Sequence, residues 1–325
     1  MIQPSTWQRR NTCWGVLLLA HGAPERLEDI PEFLLNVREG RKLPEPAIQE
    51  IIRRYRAAGG GSPLCKLTAL QAEALAKRLS RPVYVGMRNW KPFIAEAVKQ
   101  LSGDGVERVV ALCLAPQNSR TSIGLYQRHL REAIAETAPA VEVDFVSSWH
   151  DQPGLIAAFG EKVSAALADV QAKAGLPVPV IFTAHSVPAR TIAEGDPYER
   201  QVRETAALVA PAAGLKTYRL AFQSQGMTPE PWIGPTVESQ IDELAASGHC
   251  HVLLAPIGFV ADHIEILYDI DVAFGDYGRG KGVTVHRTES LNDSPLFIQA
   301  LADIVTQRVG LHAVSSQQKA EGGRR

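Results

Sequence analysis

An α/β protein made of two similar halves, each a parallel sheet covered by helices, is what this sequence predicts. Three observations predict it. Short apolar runs of strand length alternate with longer helical patterns along almost the whole chain. The second half repeats marks of the first: Ala20-His21-Gly22-Ala23-Pro24 is echoed by Ala184-His185-Ser186-Val187-Pro188, and LCLAP (112–116) by VLLAP (252–256). At 325 residues the chain also exceeds what one core of ~100–200 residues normally serves. The expected division is an N-terminal extension at 1–14, a first domain at 15–150, a second at 151–310 and a disordered tail at 311–325.

In chain order, GVLLLA (15–20) is a continuous apolar run of the kind a buried parallel strand shows, ending in His21-Gly22-Ala23-Pro24. Helical patterns follow at 28–38 and 47–57, separated by the basic, proline-bearing GRKLPEP. Gly59-Gly60-Gly61-Ser62-Pro63 permits backbone conformations other residues avoid, and serves either a ligand or a plain connection. Then come a helix at 64–80, the strand PVYVG, a helix at 91–102, the apolar strand RVVALCLAP (108–116), a helix at 120–136 and a strand at 141–147. The long helix 154–174 leads into VPVIFTAHSVP; helices at 196–212, 234–247 and 294–309 and strands at 216–222 and 283–288 complete the second half. Both repeated histidines thus stand at carboxyl ends of central strands, where open sheets place ligands.

Composition narrows the function. With 45% hydrophobic residues the chain is globular, and a net charge of -1 gives no electrostatic reason to expect nucleic acid or an anionic membrane as partner. Cys13, Cys65, Cys113 and Cys250 lie far apart without a CxxC pair, so spacing suggests neither a zinc site nor an iron–sulfur cluster, and fits a reducing cytosol. The stretch MIQPSTWQRRNTCW lacks the apolar core of a signal peptide, and no run of ~18 apolar residues occurs. A cytoplasmic protein without stable membrane insertion is the expectation.

PIGFVADHIEILYDID (256–271) carries the chemistry. Read as one helix turning every ~3.6 residues, it sets Asp262, Glu265 and Asp269 on one face, with no Lys or Arg between Phe259 and Ala273. Like charges at such spacing repel, so a row of oxygen ligands suits a divalent cation or proton traffic better than fold stability. A helix start also gathers acids through its dipole, which accounts for Asp262 and only partly for Glu265. Imidazole is a ligand for iron, cobalt, nickel, copper or zinc and a base near neutral pH, so His185 with Glu265 suits metal binding, proton removal or both.

TAHSVP (183–188), GDPY (195–198), PEPWIGP (229–235) and GFVADHIEILYD (258–269), with GGGSP (59–63), resemble the signature segments of ferrochelatases, in this order and over nearly the whole chain. The likeness is strongest to the soluble bacterial branch that uses coproporphyrin III. It implies the chelatase fold, two Rossmann-like domains with a porphyrin cleft between them, and a lyase that inserts ferrous iron into a porphyrin during haem biosynthesis. Ferrous iron is then a substrate; no prosthetic group and no iron–sulfur cluster are expected, and a monomer is favoured. The family's invariant pair falls on His185 and Glu265 as catalytic and metal-binding residues, and its row of acids for metal delivery includes Asp269. By the same pattern His21, Arg38, Arg54, Ser62 and Tyr126 bind the porphyrin, and forked arginine hydrogen bonds suit propionates.

Two positions depart from that pattern: His21 stands where the branch usually has tyrosine, and Ala273 where many relatives have a further glutamate. Between Pro24 and Ser62 the chain is short and basic, with Arg38, Arg41, Lys42, Arg53, Arg54 and Arg56. A porphyrin with four propionates needs cationic partners, whereas one with two vinyls prefers an apolar mouth, so coproporphyrin III is favoured over protoporphyrin IX. A non-catalytic porphyrin or haem carrier is the alternative from another class; it predicts loss of the His185 or Glu265 position.

Overall fold

The computed structural model describes residues 13–226 and 230–322, with side chains as far as Gly310. Residues 1–12 of the expected extension and Pro229 of PEPWIGP lie outside the described residues. The first half runs β1 (Trp14–Ala20), α1 (Ile30–Val37), α2 (Glu45–Ala57), α3 (Leu64–Leu79), β2 (Val83–Met87), α4 (Ile94–Gly103), β3 (Arg108–Cys113), α5 (Ile123–Thr137) and β4 (Glu142–Val146). The second runs α6 (Pro153–Ala174), β5 (Val180–His185), α7 (Ala189–Ala193), α8 (Tyr198–Ala212), β6 (Arg219–Gln223), α9 (Val237–Ala246) and β7 (His251–Pro256). It then continues with α10 (Ile264–Leu267), a π-helical turn (Asp269–Phe274), α11 (Gly275–Gly280), β8 (Thr284–Arg287) and α12 (Pro295–Gly322).

Two four-stranded sheets result, ordered β2-β1-β3-β4 and β6-β5-β7-β8, with every pairing parallel. Strand for strand the orders are the same, so the short sequence echoes mark a repeat of topology. The repeated histidines follow or end the corresponding strands β1 and β5.

The central strands read as unbroken apolar runs because both faces are covered. Leu17, Leu19, Val109 and Ala111 pack with α4 and α5, while Val16, Leu18, Val110 and Leu112 enter the largest core on the opposite face. In the second sheet Ile181, Val252 and Leu254 pack with Ile241 of α9 and with Ile266, whereas Val180, Phe182, Leu253 and Ala255 enter that same largest core. The two halves therefore share one buried interior, filled between the sheets by Ile156, Phe159 and Val163 of α6 and Phe297, Leu301 and Val305 of α12. Helix α12 also reaches back to the first sheet, where Arg308 Nε donates to Asp144 Oδ2 of β4 at 2.8 Å.

Several boundaries differ from expectation. Strand β1 begins at Trp14, whose ring is only 9% exposed and belongs to the shared core, so the extension ends earlier than residue 14. The backbone stays helical to Gly322, where a disordered tail is expected from 311. Ala, Gln, Lys and Glu are good helix formers, and extending a helix avoids the cost of nucleation. The acidic stretch is not one helix either. His263 is extended (φ -157°, ψ -179°), α10 has only four residues, and the π-helical turn then shifts the register.

Two glycines let loops meet at the strand ends. A Cβ on Gly61 would lie 2.1 Å from the Glu25 carbonyl oxygen, so only glycine lets the loop before α3 cross the loop after β1; Ser62 N then donates to Pro24 O at 3.0 Å. A Cβ on Gly258 would lie 2.8 Å from Ala184 Cα, so glycine lets the loop after β7 cross the end of β5 beside His185. Among the described residues no helix is long and apolar enough to cross a membrane.

Candidate active site

The site grows from the end of β5. Pairing with β6 carries His185 opposite Gln223. The carbonyl of His185 accepts from Tyr198 Oη at 2.9 Å, and the next residue, Ser186, donates its amide to Gln223 O at 2.7 Å and its hydroxyl to Ile233 O at 2.8 Å. Backbone and neighbours thus hold the histidine. Its ring is about one-third open, and Nε2 lies 3.6 Å from Glu265 Oε2. Glu265 stands in the first turn of α10, its backbone carbonyl accepting from Gln223 Nε2 at 3.2 Å. A second histidine faces the same carboxylate, His263 Nε2 lying 3.8 Å from Glu265 Oε2.

The ring nitrogens have assigned roles. His185 Nδ1 contacts the Ser186 carbonyl, His21 Nδ1 lies 3.0 Å from Gly22 O, and His263 Nδ1 lies 3.0 Å from Ala261 O. A carbonyl oxygen can only accept, so each Nδ1 is the donor and each Nε2 is left to take a proton or a metal. The gaps to Glu265 exceed the 2.7–3.2 Å of an N–H···O hydrogen bond. They leave room for a cation shared between imidazole nitrogen and carboxylate oxygen, whose bonds to a first-row metal are each about 2.0–2.2 Å.

Electrostatics tie the rings into one cluster. Burial alone would raise the Glu265 pKa, but the charges of His185, His263 and His21 outweigh it and hold the carboxyl at about 2. Burial lowers the His263 pKa, and the Glu265 carboxylate more than offsets this, so the net shift is upward. His21 has exposed surface yet lies among Arg88, Glu265 and His263; burial first, then Arg88, lowers its pKa to about 4. Aromatic rings form the walls, with Phe259 centred 4.7 Å from His263 and 6.4 Å from His185, and Phe33 5.9 Å from His21.

The other expected residues scatter around this cluster. Asp269 receives a short hydrogen bond from Ser224 Oγ, and burial raises its pKa, with the nearby Glu265 carboxylate adding to the rise. Asp262 leaves the row altogether: its carboxylate accepts from Ser290 Oγ at 2.7 Å, Arg287 Nη1 at 3.0 Å and Asn292 Nδ2 at 3.0 Å. Asp271 is paired with the same Arg287. Arg54 pairs with Glu50 at 3.0 Å and sits 5.5 Å from the Tyr268 ring, on the Asp269 side of the cluster. Arg38, at the end of α1, donates to the Arg41 carbonyl at 3.3 Å and has no described contact with the cluster. Ser62 is 3% exposed, and its hydroxyl accepts from Leu64 N at 3.4 Å. Tyr126 is 5% exposed, beneath the Arg88 guanidinium.

Sequence reasoning missed His263, Phe259 and Arg88. The first two lie inside the acidic motif, two and six residues before Glu265, and the extended backbone at His263 turns its ring onto the carboxylate. Arg88 had no local signal. Among the described residues no three His, Cys, Asp or Glu side chains form a ready metal centre, and the 350 Å³ cavity lined by Asn118, Arg120, Phe145, Glu194 and Asp196 lies elsewhere. His185 and Glu265 offer an ion only part of a coordination shell.

A sequence model of the ferrochelatase family matches residues 14–309, from the first strand to the last described core helix. This chain belongs to the ferrochelatase family. It is a metal-chelating lyase that inserts iron into a porphyrin in haem synthesis. Among its relatives, a ferrochelatase of Acidobacterium capsulatum is 47% identical over 303 residues, spanning 89% of this chain and 92% of its own length. A coproporphyrin III ferrochelatase of a Geobacillus species is 39% identical over 306 residues, spanning 91% of this chain and 98% of its own. The solved structure of SirB from Bacillus subtilis with Fe3+ has a TM-score of 0.57 at 13% identity, covering 94% of this chain and 98% of that one, a likeness of fold alone. For a ferrochelatase, an incomplete shell has a use, since the four porphyrin nitrogens must take over the ion.

Proposed function

We propose that His185 and Glu265 form the catalytic and metal-contacting pair of this ferrochelatase and that coproporphyrin III is its porphyrin. The observation that carries the pair is the 3.6 Å approach of His185 Nε2 to Glu265 Oε2, with Nδ1 committed to a backbone carbonyl. A free-base porphyrin must lose two pyrrole protons and bend so that nitrogen lone pairs reach the ion. His185 Nε2 accepts a proton, and the Glu265 carboxylate, kept ionised by the surrounding histidines, stabilises the resulting imidazolium. His263 shares that carboxylate and steadies it. Asp269, with its raised pKa and its hydroxyl partner Ser224, leads outward from the pair as the next carboxyl for incoming metal or departing protons.

His21, Arg38, Arg54, Ser62 and Tyr126 are proposed to bind the porphyrin, in three roles. His21 faces the ring from the first half, Arg54 and Arg38 meet propionates, and the buried Ser62 and Tyr126 shape the wall. Ferrous iron is handled as substrate, without a resident prosthetic group or iron–sulfur cluster, by a monomer in the cytoplasm. Support for coproporphyrin III comes from the basic segment before Ser62 and from the relatives named for that substrate at 39% and 38% identity.

Anaerobic metalation with ferrous iron, run side by side on coproporphyrin III and protoporphyrin IX, tests this reading. A higher kcat/KM is expected with coproporphyrin III. A higher value with protoporphyrin IX, or stable recruitment of the protein to liposomes, would overturn the choice of porphyrin and leave the His185–Glu265 pair standing.

A further inference from the structure

Arg88 follows β2, and the parallel pairing of β2 with β1 puts it next to the strand-end histidine of the first half. Its amide donates to Ala20 O at 2.9 Å, and the amide of the next residue, Asn89, donates to His21 O at 2.9 Å. The guanidinium lies 5.0 Å from the centre of the Tyr126 ring, on the sheet face covered by α5. Its charge is felt at His21, Cys113, Tyr126 and His129, none of them a carboxylate. Nη1 is buried and has no hydrogen-bond partner among the described residues.

This arrangement is unusual for a cation. Buried charges are normally paired, and a guanidinium donor left without an acceptor costs free energy that a tyrosine face recovers only in part. Other arginines around the mouth are already engaged: Arg53 and Arg54 with Glu50, Arg128 with Glu39. Arg88 differs from these three in carrying a buried donor that no described residue meets, and it stands beside His21.

We propose that Arg88 is a porphyrin-recognition residue whose free guanidinium face receives a carboxylate of the substrate on the His21 side of the cleft. The inference rests on the reading of this cleft as the porphyrin site and deepens it. A propionate supplies the missing acceptor, replacing an unmet donor by a forked, charge-assisted pair. Tyr126 fixes the plane of the fork from below. Recognition at this position orients the macrocycle about its own axis and fixes which pyrrole nitrogens are presented to His185.

Binding of iron-free coproporphyrin III to the whole protein, followed by fluorescence, tests the proposal with Arg88→Met and Arg88→Lys. Arg88→Met is expected to raise Kd by about ten- to a hundredfold. KM should rise far more than kcat falls, and Arg88→Lys should recover part of the loss, because it restores the charge without the fork. Coproporphyrin III tetramethyl ester, which lacks the anionic carboxylates, should bind parent and Arg88→Met alike. Circular dichroism and a melting curve establish that each variant is folded. Equal coproporphyrin affinity in parent and Arg88→Met would overturn this proposal alone. So would an equal loss for the ester, or stabilisation of the parent by inorganic phosphate with porphyrin binding unchanged in the variant. Failure of the parent itself to bind porphyrin would overturn both this proposal and the functional reading beneath it.

Discussion

The carboxyl ends of β1 and β5 occupy the same place in two sheets of the same strand order, yet their histidines live in opposite electrostatic surroundings. His21 neighbours the Arg88 cation and has its pKa driven down to about 4. His185 looks at the Glu265 carboxylate across 3.6 Å. Equivalent backbone positions have thus come to stand in different company: burial first, then the Arg88 cation, keeps the His21 imidazole neutral, whereas the nearest charged group to His185 Nε2 is the Glu265 carboxylate. With the roles proposed above, the contrast gives deprotonation and metal handling to the second half and holding of the ring to the first.

The largest effect is expected at His185. His185→Ala should lower kcat by about 10²–10⁴ while porphyrin affinity stays within a few-fold, because a base is lost and the walls remain. Near-normal turnover would erase the distinction between the halves. Glu265→Gln comes next, with a rate loss of about 10² and a His263 titration, followed by NMR, that moves down toward neutral-imidazole behaviour once its carboxylate is gone. An unmoved His263 signal would show that the carboxylate does not govern the cluster.

His21→Ala should cost the rate less than either, about tenfold or below, yet change the absorption spectrum of the haem product, because an available Nε2 would be withdrawn from the iron's other face. An unchanged product spectrum would confine His21 to the strand end. The smallest catalytic effect is expected at Asp262, which pins the loop leading to α10 while Gln117 performs the corresponding service after β3 with neutral hydrogen bonds to Thr205 Oγ1 and Ile257 O. Burial alone would raise the Asp262 pKa, but Asn292, Ser290 and Arg287 bring it below 3.8. A carboxyl depressed in the folded state stabilises the fold above its unfolded pKa and loses that contribution as pH falls through its folded value. Asp262→Asn should therefore cost about 1–3 kcal/mol near pH 7, and the difference from the parent should shrink below pH 3.8 in denaturant titrations. A difference independent of pH would assign the loss to shape.

Much of this was legible along the chain, for physical reasons that can be named. Strands buried on both faces write themselves as apolar runs, so β1, β3, β5 and β7 could be read directly, and with them the places of His21 and His185 at corresponding strand ends. His185 and Glu265 sit in segments distinctive enough to be recognised. The acidic row could not be read correctly, because it assumed one helix from Pro256 onward. An extended His263, a four-residue α10 and the π-helical turn send Asp262 into a loop and leave only Glu265 and Asp269 near each other. Arg88 was invisible for a different reason. What marks it is a buried Nη1 without a hydrogen-bond partner among the described residues, and its nearest companions, His21 and Tyr126, are far away along the chain.

The interior shared by the two sheets has a mechanical meaning. Swinging the halves apart like jaws would bring Phe182, Leu253 and Phe297 into water and would break the Arg308–Asp144 bridge that fastens α12 to β4. At roughly 1.5–3 kcal/mol for each large apolar side chain exposed, such an opening is too costly to recur in every catalytic cycle. The two halves are therefore held together as one block and not hinged along that interior. A macrocycle that enters must therefore fit between halves whose relative placement this core already fixes.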